Sequence, residues 1–164
     1  MVEIVIINHM KVLVKNKDAY RNFEILERFT GGIELNGGEV KSLRKSQGNL
    51  QGSFLLIQKN KKQHAEIFIK NMYIPPYQEK NTGGGYDTER VRKILINRKE
   101  INRIDRSMNN KGTTLIPISI ISAGTFIKIE FATARGKKKF DKRQDLKERA
   151  QKRDAERDSK IRFN

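Results

Sequence analysis

The 164-residue chain contains no cysteine and only two histidines. The absence of cysteine excludes disulfides, thiolate nucleophiles and cysteine-ligated zinc. His9 and His64 are far apart in the sequence, and neither belongs to a spacing typical of metal ligands. Long apolar runs are also missing: the stretch 2–7 contains Glu3 and is far shorter than the ~20 residues that a membrane-spanning helix needs. We therefore expect no metal site, no membrane segment, no signal peptide and a cytoplasmic location.

Acidic residues are scarce relative to basic ones. The chain has 35 Lys and Arg residues against 19 Asp and Glu, which gives a formal net charge of +16. Such a charge is typical of proteins that bind a polyanion. No carboxylate pair occupies the apolar setting that acid–base catalysis requires, and no Ser/His/Asp order with a nucleophile elbow is present. The sequence therefore predicts a binding protein without a cofactor, not an enzyme.

The last thirty residues are the most basic part of the chain. From Arg135 to Asn164 there are 13 Lys and Arg residues and 6 Asp and Glu, a net charge of +7. Large apolar residues are few in this segment, so it cannot bury enough surface to offset the entropy lost on ordering. We expect three regions: an N-terminal extension (1–11), a folded body (12–134) and a flexible basic C-terminal tail (135–164).

The periodicity of the body predicts mainly β structure. Two short helices are expected, at 39–46 and after Asn97, where Asn97 caps the helix, Glu100 reaches back to it and Gly112 ends it. Thr30 to Gly32 should break the chain between two strands, and Pro117 indicates an edge or a bulge. The predicted strands are 22–29, 33–35, 53–58, 65–71, 113–122 and 125–135. Together they indicate a small antiparallel barrel of the oligonucleotide-binding (OB) type.

Basic side chains near aromatic ones are the candidates for RNA contact. Phe140 lies inside a basic run, which suits base stacking next to phosphate binding, although Phe140 could instead pack the root of the tail onto the barrel. Tyr20 and Phe23, beside Arg21, are more typical of core or rim packing. The candidate cations are Arg21, Lys41, Arg44, Arg90, Arg92, Lys93, Lys137, Lys138, Lys139, Lys142 and Arg143.

Three motifs, in this order and spacing, resemble the SsrA-binding protein family: GGEVKSLR (37–44), RKILINRKEI (92–101) and ARGKKKFDKR (134–143). The resemblance implies a barrel that binds the tRNA-like domain of transfer-messenger RNA (tmRNA). It also implies a tail that enters the decoding site and mRNA channel of a stalled ribosome and becomes helical there. The implied partners are tmRNA, its alanylated complex with elongation factor Tu, and the small-subunit rRNA, with the chain acting as a monomer.

The resemblance assigns roles to individual positions. Leu95 and Asn97 match the RNA-contacting stretch of the family and Lys128 a lysine of the same surface, although Leu95 could equally be a core residue and Asn97 mainly a helix cap. Thr30 departs from the family, which usually has an acidic residue there. The implied tail residues are Gly136 at a flexible turn, Lys137, Lys138, Phe140 as a stacking residue, and the triplet Asp141, Lys142 and Arg143 required for tagging.

Two other functions fit parts of the sequence. A structural ribosomal or rRNA-binding protein would also be basic and tailed, but it would be stoichiometric with ribosomes. An RNA-acting hydrolase is disfavoured because the chain lacks a carboxylate, histidine or metal constellation.

Overall fold

A computed structural model describes residues 10–78, 85–138 and Gln151. The described residues form seven β-strands and three helices. Their bounds are β1 (Met10–Lys15), α1 (Ala19–Asn22), β2 (Phe23–Ile33), α2 (Gly37–Arg44), β3 (Phe54–Lys59), β4 (Ala65–Lys70), β5 (Arg92–Leu95), α3 (Arg98–Met108), β6 (Thr113–Ala123) and β7 (Phe126–Gly136). The predicted mainly β, antiparallel fold is confirmed.

The sheet closes into a barrel. The strands follow the order β1-β6-β3-β4-β5-β2-β7. An additional pairing of β6 with β7 closes the six strands from β6 to β7 into a ring, and β1 lies outside that ring along β6. All strand pairs in the register are antiparallel. Closure leaves the barrel with few unpaired edges. The sheet begins at Met10 and ends at Gly136, two residues beyond each end of the predicted body.

The barrel interior is the hydrophobic core. The side chains alternate as predicted along β4 and β7, where Ile67, Ile69 and Ile129 are fully buried. The rings of Phe29 and Phe131 stack across β2 and β7 with centroids 5.7 Å apart. Helix α3 contacts this core through its predicted stripe: Ile104 is fully buried, and Ile101 and Met108 pack beside it.

The expected break at residues 30–32 is wrong. β2 runs continuously through Gly31 and Gly32, which pair with Ile129 and Lys128 of β7. Glycine is needed at this position because β5 approaches β2 closely: a Cβ on Gly31 would lie 2.9 Å from Cγ2 of Ile94. The two glycines therefore let β2 and β5 come together.

Other local predictions are confirmed or adjusted. β6 shows a register shift between Pro117 and Ser119, so the predicted bulge at this proline is confirmed. Asn97 caps α3 by accepting the backbone N–H of Lys99 at 3.0 Å. The reciprocal capping box occurs at α2 instead, between Asn36 and Glu39.

Candidate nucleic-acid interface

Leu95 and Lys128 lie on one outward-facing row of the barrel. Gly32 of β2 pairs with Leu95 of β5 on one side and with Lys128 of β7 on the other. Directly opposite residues of neighbouring strands present their side chains on the same face. Leu95 is 53% exposed, which excludes the alternative that it is a core residue, and Lys128 is exposed too. We refer to Gly32, Leu95 and Lys128 as the Leu95–Lys128 face.

Asn97 and Thr30 lie beside this face. Asn97 is exposed although its Oδ1 already accepts the cap hydrogen bond of α3. Thr30 is exposed on β2, two residues before Gly32, and pairs with Glu130 of β7. Glu130 therefore places a carboxylate directly across the strand pair from Thr30.

A second group of cations surrounds Tyr77 on the flank of α2. The ammonium groups of Lys41 and Lys45 lie 5.5 and 4.5 Å from the centroid of the Tyr77 ring. Arg44 donates a hydrogen bond of 3.0 Å to the carbonyl of Thr125 in the β6–β7 turn. Lys41, Arg44 and Lys45 remain exposed, so they can contact phosphates. The Tyr77 ring orders the two lysines by cation–π contact, and the bond to Thr125 orders Arg44. We refer to these three residues and Tyr77 as the α2 patch.

Glu39, in the first turn of α2, forms an ion triad with Arg90 and Arg92. The Glu39 carboxylate accepts hydrogen bonds from Arg90 at 2.6 and 2.9 Å and from Arg92 Nε at 2.9 Å. It also accepts the backbone N–H of Asn36 at 2.7 Å. The side chains of Glu39 and Arg92 are 0% exposed, and that of Arg90 is 28% exposed. The triad therefore joins the start of α2 to β5.

Arg92 is a correction to the predicted RNA contacts. Beyond its bonds to Glu39, its guanidinium donates to the carbonyls of Met72 at 2.7 Å, Arg90 at 3.0 Å and Thr88 at 3.1 Å. A fully buried cation must be paired and hydrogen-bonded in this way, since leaving it uncompensated is costly. Its donors are directed into the protein, so Arg92 holds α2 and the neighbouring loop in place and does not reach a phosphate.

The triad holds Glu39 in its charged form. Burial alone would raise the pKa of Glu39, but the hydrogen bonds from Arg90, from the Asn36 N–H and from Arg92 together lower that pKa below its ordinary value. The same pairing raises the pKa of Arg90. Glu39 and Arg90 therefore remain ionised through the neutral pH range.

Arg21, in α1, lines a surface cleft of about 360 Å³. Its side chain is 55% exposed and lies 3.5 Å from Asp18, so it remains available to a ligand. Tyr20 and Phe23 pack against a small buried cluster with Ala19, as the core alternative predicted. The cleft is lined by Lys15, Asn16, Lys17, Asp18, Arg21, Asn49 and Gln51.

The root of the tail is fixed onto α1. Gly136 ends β7 opposite Phe23, so it is a strand residue and not the expected turn. The next residue, Lys137, donates its backbone N–H to the Asn22 carbonyl at 2.9 Å and its ammonium to the Tyr20 carbonyl at 3.2 Å. Lys138 is exposed. The predicted tail residues Lys139, Phe140, Asp141, Lys142 and Arg143 lie outside the described residues.

Sequence reasoning missed the contacts that three residues of these surfaces make. Glu39 and Arg90 were not recognised as partners, because fifty-one positions separate them and each has other charged neighbours. Tyr77 was not recognised as a partner of Lys41 and Lys45. The pattern that could have found the triad is a lone glutamate among the cations of an amphipathic helix, since an isolated carboxylate there needs a partner.

Other classes of site are not found among these residues. Within 10–78 and 85–138, no three His, Cys, Asp or Glu side chains lie close enough together to hold a metal ion. No helix in the described part of the chain is long and apolar enough to cross a membrane.

A closed β-barrel with clustered exposed cations is typical of the nucleic-acid-binding class of small β proteins.

Comparison with known proteins makes the assignment specific. A family model described as SmpB protein matches residues 13–161. The SsrA-binding protein of Thermosipho africanus is 43% identical over 141 residues, which cover 85% of this chain and 91% of that protein. The SsrA-binding protein of Gloeobacter violaceus is 41% identical over 149 residues, 90% of this chain and 93% of that protein.

A solved structure agrees with these relatives. One chain of a tmRNA–SmpB structure, described as a journey to the center of the bacterial ribosome, has a TM-score of 0.61 and 35% identity to this chain. The match covers 76% of this chain and 84% of that one. The chain belongs to the SsrA-binding protein (SmpB) family.

Proposed function

We propose that this protein is an RNA-binding adaptor of trans-translation that binds tmRNA and delivers it to stalled ribosomes. The observation that carries the proposal is the family match over residues 13–161, together with the likeness to a chain of a tmRNA–SmpB structure. The net charge of +16 supports a polyanionic partner. The protein acts by binding and not by catalysis, in the cytoplasm and as a monomer.

The barrel residues take two roles in this proposal. Leu95, Asn97 and Lys128 contact the tRNA-like domain of tmRNA directly, and the cations of the α2 patch and Arg21 bind phosphates. Arg92 acts indirectly, because its guanidinium bonds Glu39 and three backbone carbonyls. The exposed fractions of Leu95 and Arg92, 53% and 0%, support this division.

The tail takes the second half of the function. We assign RNA binding to the barrel, which comprises residues 12–134 and the strand residues 10–11 and 135–136 that extend it at its two ends. We assign the remaining C-terminal residues, from the root fixed on α1 up to 164, to a tail that occupies the decoding site and the mRNA channel. Gly136, Lys137 and Lys138 begin the tail, Phe140 stacks on an rRNA base, and Asp141, Lys142 and Arg143 complete the contact. Alanyl-tmRNA bound to elongation factor Tu is the form that the protein delivers.

Removal of the tail separates the two halves. Because Lys137 is bonded to α1, the cut should follow Lys138, so that the variant lacks residues 139–164 and keeps the anchored root. We expect this variant to bind tmRNA with nearly unchanged affinity and to lose tagging of stalled peptides, measured in a reconstituted translation reaction. Equal loss of both would place the tail in the tmRNA site and contradict the proposal.

Salt dependence tests the binding half alone. A site with about 6 to 10 phosphate contacts should lose roughly 10³- to 10⁵-fold in affinity between about 50 and about 200 mM salt. Filter binding of labelled tmRNA at several salt concentrations measures this slope. An affinity for tmRNA that does not change with salt would overturn the electrostatic interface.

A further inference from the structure

The strands β4 and β5 separate at one end of the barrel and leave a cleft. Their ladder ends at the pair Ile67 and Ile94, although β4 begins at Ala65 and β5 continues to Leu95. The cleft that opens beyond this pair has a volume of about 290 Å³. It is lined by Asn60, His64, Ala65, Glu66, Lys93, Ile94, Leu95, Ile96, Arg98 and Ile101.

One wall of the cleft is apolar and adjoins the Leu95–Lys128 face. Leu95 is 53% exposed, and Ile96 and Ile101 are partly buried beside it. A leucine this exposed, in a chain with a +16 charge, favours a partner with both apolar surface and negative charge. An unpaired nucleotide has both, because the flat faces of its base pack on apolar surface and its phosphate is an anion.

The polar rim of the cleft is held in place before any ligand arrives. Asn60 Oδ1 accepts the backbone N–H groups of Lys62 and His64, at 2.9 and 3.0 Å, which shapes the β3–β4 turn. Asn60 Nδ2 and the Lys93 ammonium donate to Oε1 of Glu66, at 3.1 and 2.9 Å. All the hydrogen bonds that Glu66 receives from the described residues go to Oε1, so Oε2 is left as an acceptor.

The charges around the cleft match this ligand. Glu66 and Lys93 form an ion pair at 2.9 Å and cancel each other, so the exposed guanidinium of Arg98 at the start of α3 supplies the positive charge. A carboxylate oxygen beside an apolar wall suits the N–H edge of a base, which is how proteins read unpaired nucleotides.

We propose that this cleft receives the base of one unpaired RNA nucleotide, which packs against Leu95, Ile96 and Ile101. Glu66 Oε2 accepts from the N–H edge of the base, and Arg98 contacts its phosphate. This inference rests on the proposed function and adds a nucleotide-reading site to it, formed in part by the β3–β4 turn.

Filling the cleft is the first test. Ala65 lines it with a single methyl group, so Ala65→Trp should exclude a base while leaving Lys128 and the α2 patch unchanged. Loss of one packed base should weaken tmRNA binding about 5- to 150-fold. The complex is then probed with dimethyl sulfate, kethoxal and carbodiimide, which modify the Watson–Crick edges of unpaired bases. We expect one base protected by the wild-type protein to become reactive in the complex with the variant.

A milder pair of variants guards against misfolding of Ala65→Trp. Glu66→Gln and Glu89→Gln each remove one negative charge, so both raise the net charge by one, and Glu89 is an exposed residue outside the cleft. Electrostatics alone would tighten RNA binding slightly and equally in both. The cleft site instead predicts that Glu66→Gln weakens binding about 10-fold and restores reactivity of the protected base, because a charged acceptor is lost.

The outcomes are distinguishable from failure of the proposed function. If the wild-type protein binds tmRNA with strong salt dependence but protects no unpaired base, or if Glu66→Gln behaves like Glu89→Gln, the cleft is not a nucleotide site and the adaptor function stands. If crosslinking from the cleft captures a ribosomal protein while every RNA base stays reactive, the occupant is a peptide and the inference is overturned. Failure of the wild-type protein to bind tmRNA would overturn the proposed function itself.

Discussion

β5 contributes to two regions that use their side chains in opposite ways. Arg92 points into the junction with α2, where it is 0% exposed and bonded to Glu39, whereas Leu95, three residues later, is 53% exposed on the outer face. From residue type alone, the arginine is the obvious RNA ligand and the leucine the obvious core residue. The structure shows the opposite placement, because the arginine is buried against a carboxylate and the leucine is exposed. The position of a cation in the fold must therefore be known before it is counted as a phosphate contact.

The largest effect should come from the buried junction. Glu39→Gln leaves the buried guanidinium of Arg92 without its counter-charge, which typically costs about 3 to 5 kcal/mol. We expect the free energy of unfolding, measured in urea, to fall by that amount. Glu34→Gln is the matched control, because Arg90 bonds only the backbone carbonyl of Glu34; its effect should stay within about 0.5 kcal/mol. Similar losses in both variants would contradict a structural role for the triad.

The pH dependence of the unfolding free energy tests whether the charge on Glu39 causes this loss of stability. The pKa of Glu39 is lowered in the folded protein, so its contribution to stability is complete above its ordinary value of 4.5 and is lost as the pH falls through the lowered native pKa. The wild-type and Glu39→Gln curves should therefore lie apart at neutral pH and converge in acid. A constant difference at every pH would assign the loss to packing instead.

The exposed face should show the reverse pattern. Lys128→Ala removes a cation that lies on the surface, so the unfolding free energy should change by less than about 0.5 kcal/mol. The slope of log affinity for tmRNA against log salt should become shallower by about 1, as expected for one lost phosphate contact. Lys111→Ala, at an exposed turn, makes the same charge change and should leave the slope unaltered. If both variants change it equally, net charge and not the face determines binding.

The smallest effect is expected where β7 meets the tail. Gly136 lies in a strand without positive φ, and no atom lies within 4 Å of the place that a Cβ would occupy. Gly136→Ala should therefore leave stability within about 1 kcal/mol of the wild type and preserve tagging. Complete loss of tagging in this variant, with normal tmRNA binding, would show that the chain must turn at Gly136 during function.

Much of the fold could be predicted because several segments follow simple periodicities. Alternation along β4 and β7 and the apolar stripe of α3 depend only on the local sequence. The strand β5 and the course of β2 could not be predicted in the same way. β5 has only four residues, and one of its two inward side chains is the charged Arg92. Gly31 and Gly32 have the composition of a turn, and only the close approach of Ile94 and Leu95 of β5 explains why they lie in a strand.

The site was predictable to the extent that its residues act on the surface. Leu95 and Lys128 came from the family resemblance, and the register of three strands explains why they share a face. The Glu39 triad and the placement of Tyr77 depend on contacts between segments far apart in the chain. Local patterns carry no information on such contacts, and Arg92 was assigned to RNA for that reason.

The strand β7 has a consequence for how the two halves of the protein work together. It carries Lys128 near its start and delivers Lys137 to its anchor on α1, nine residues later. At roughly 3.3 Å per residue, the strand sets a span of at most about 30 Å between Lys128, the proposed contact to tmRNA, and Lys137, where the proposed ribosome-binding tail begins. β7 therefore fixes the distance between the start of the tail and the proposed RNA-contacting face of the barrel.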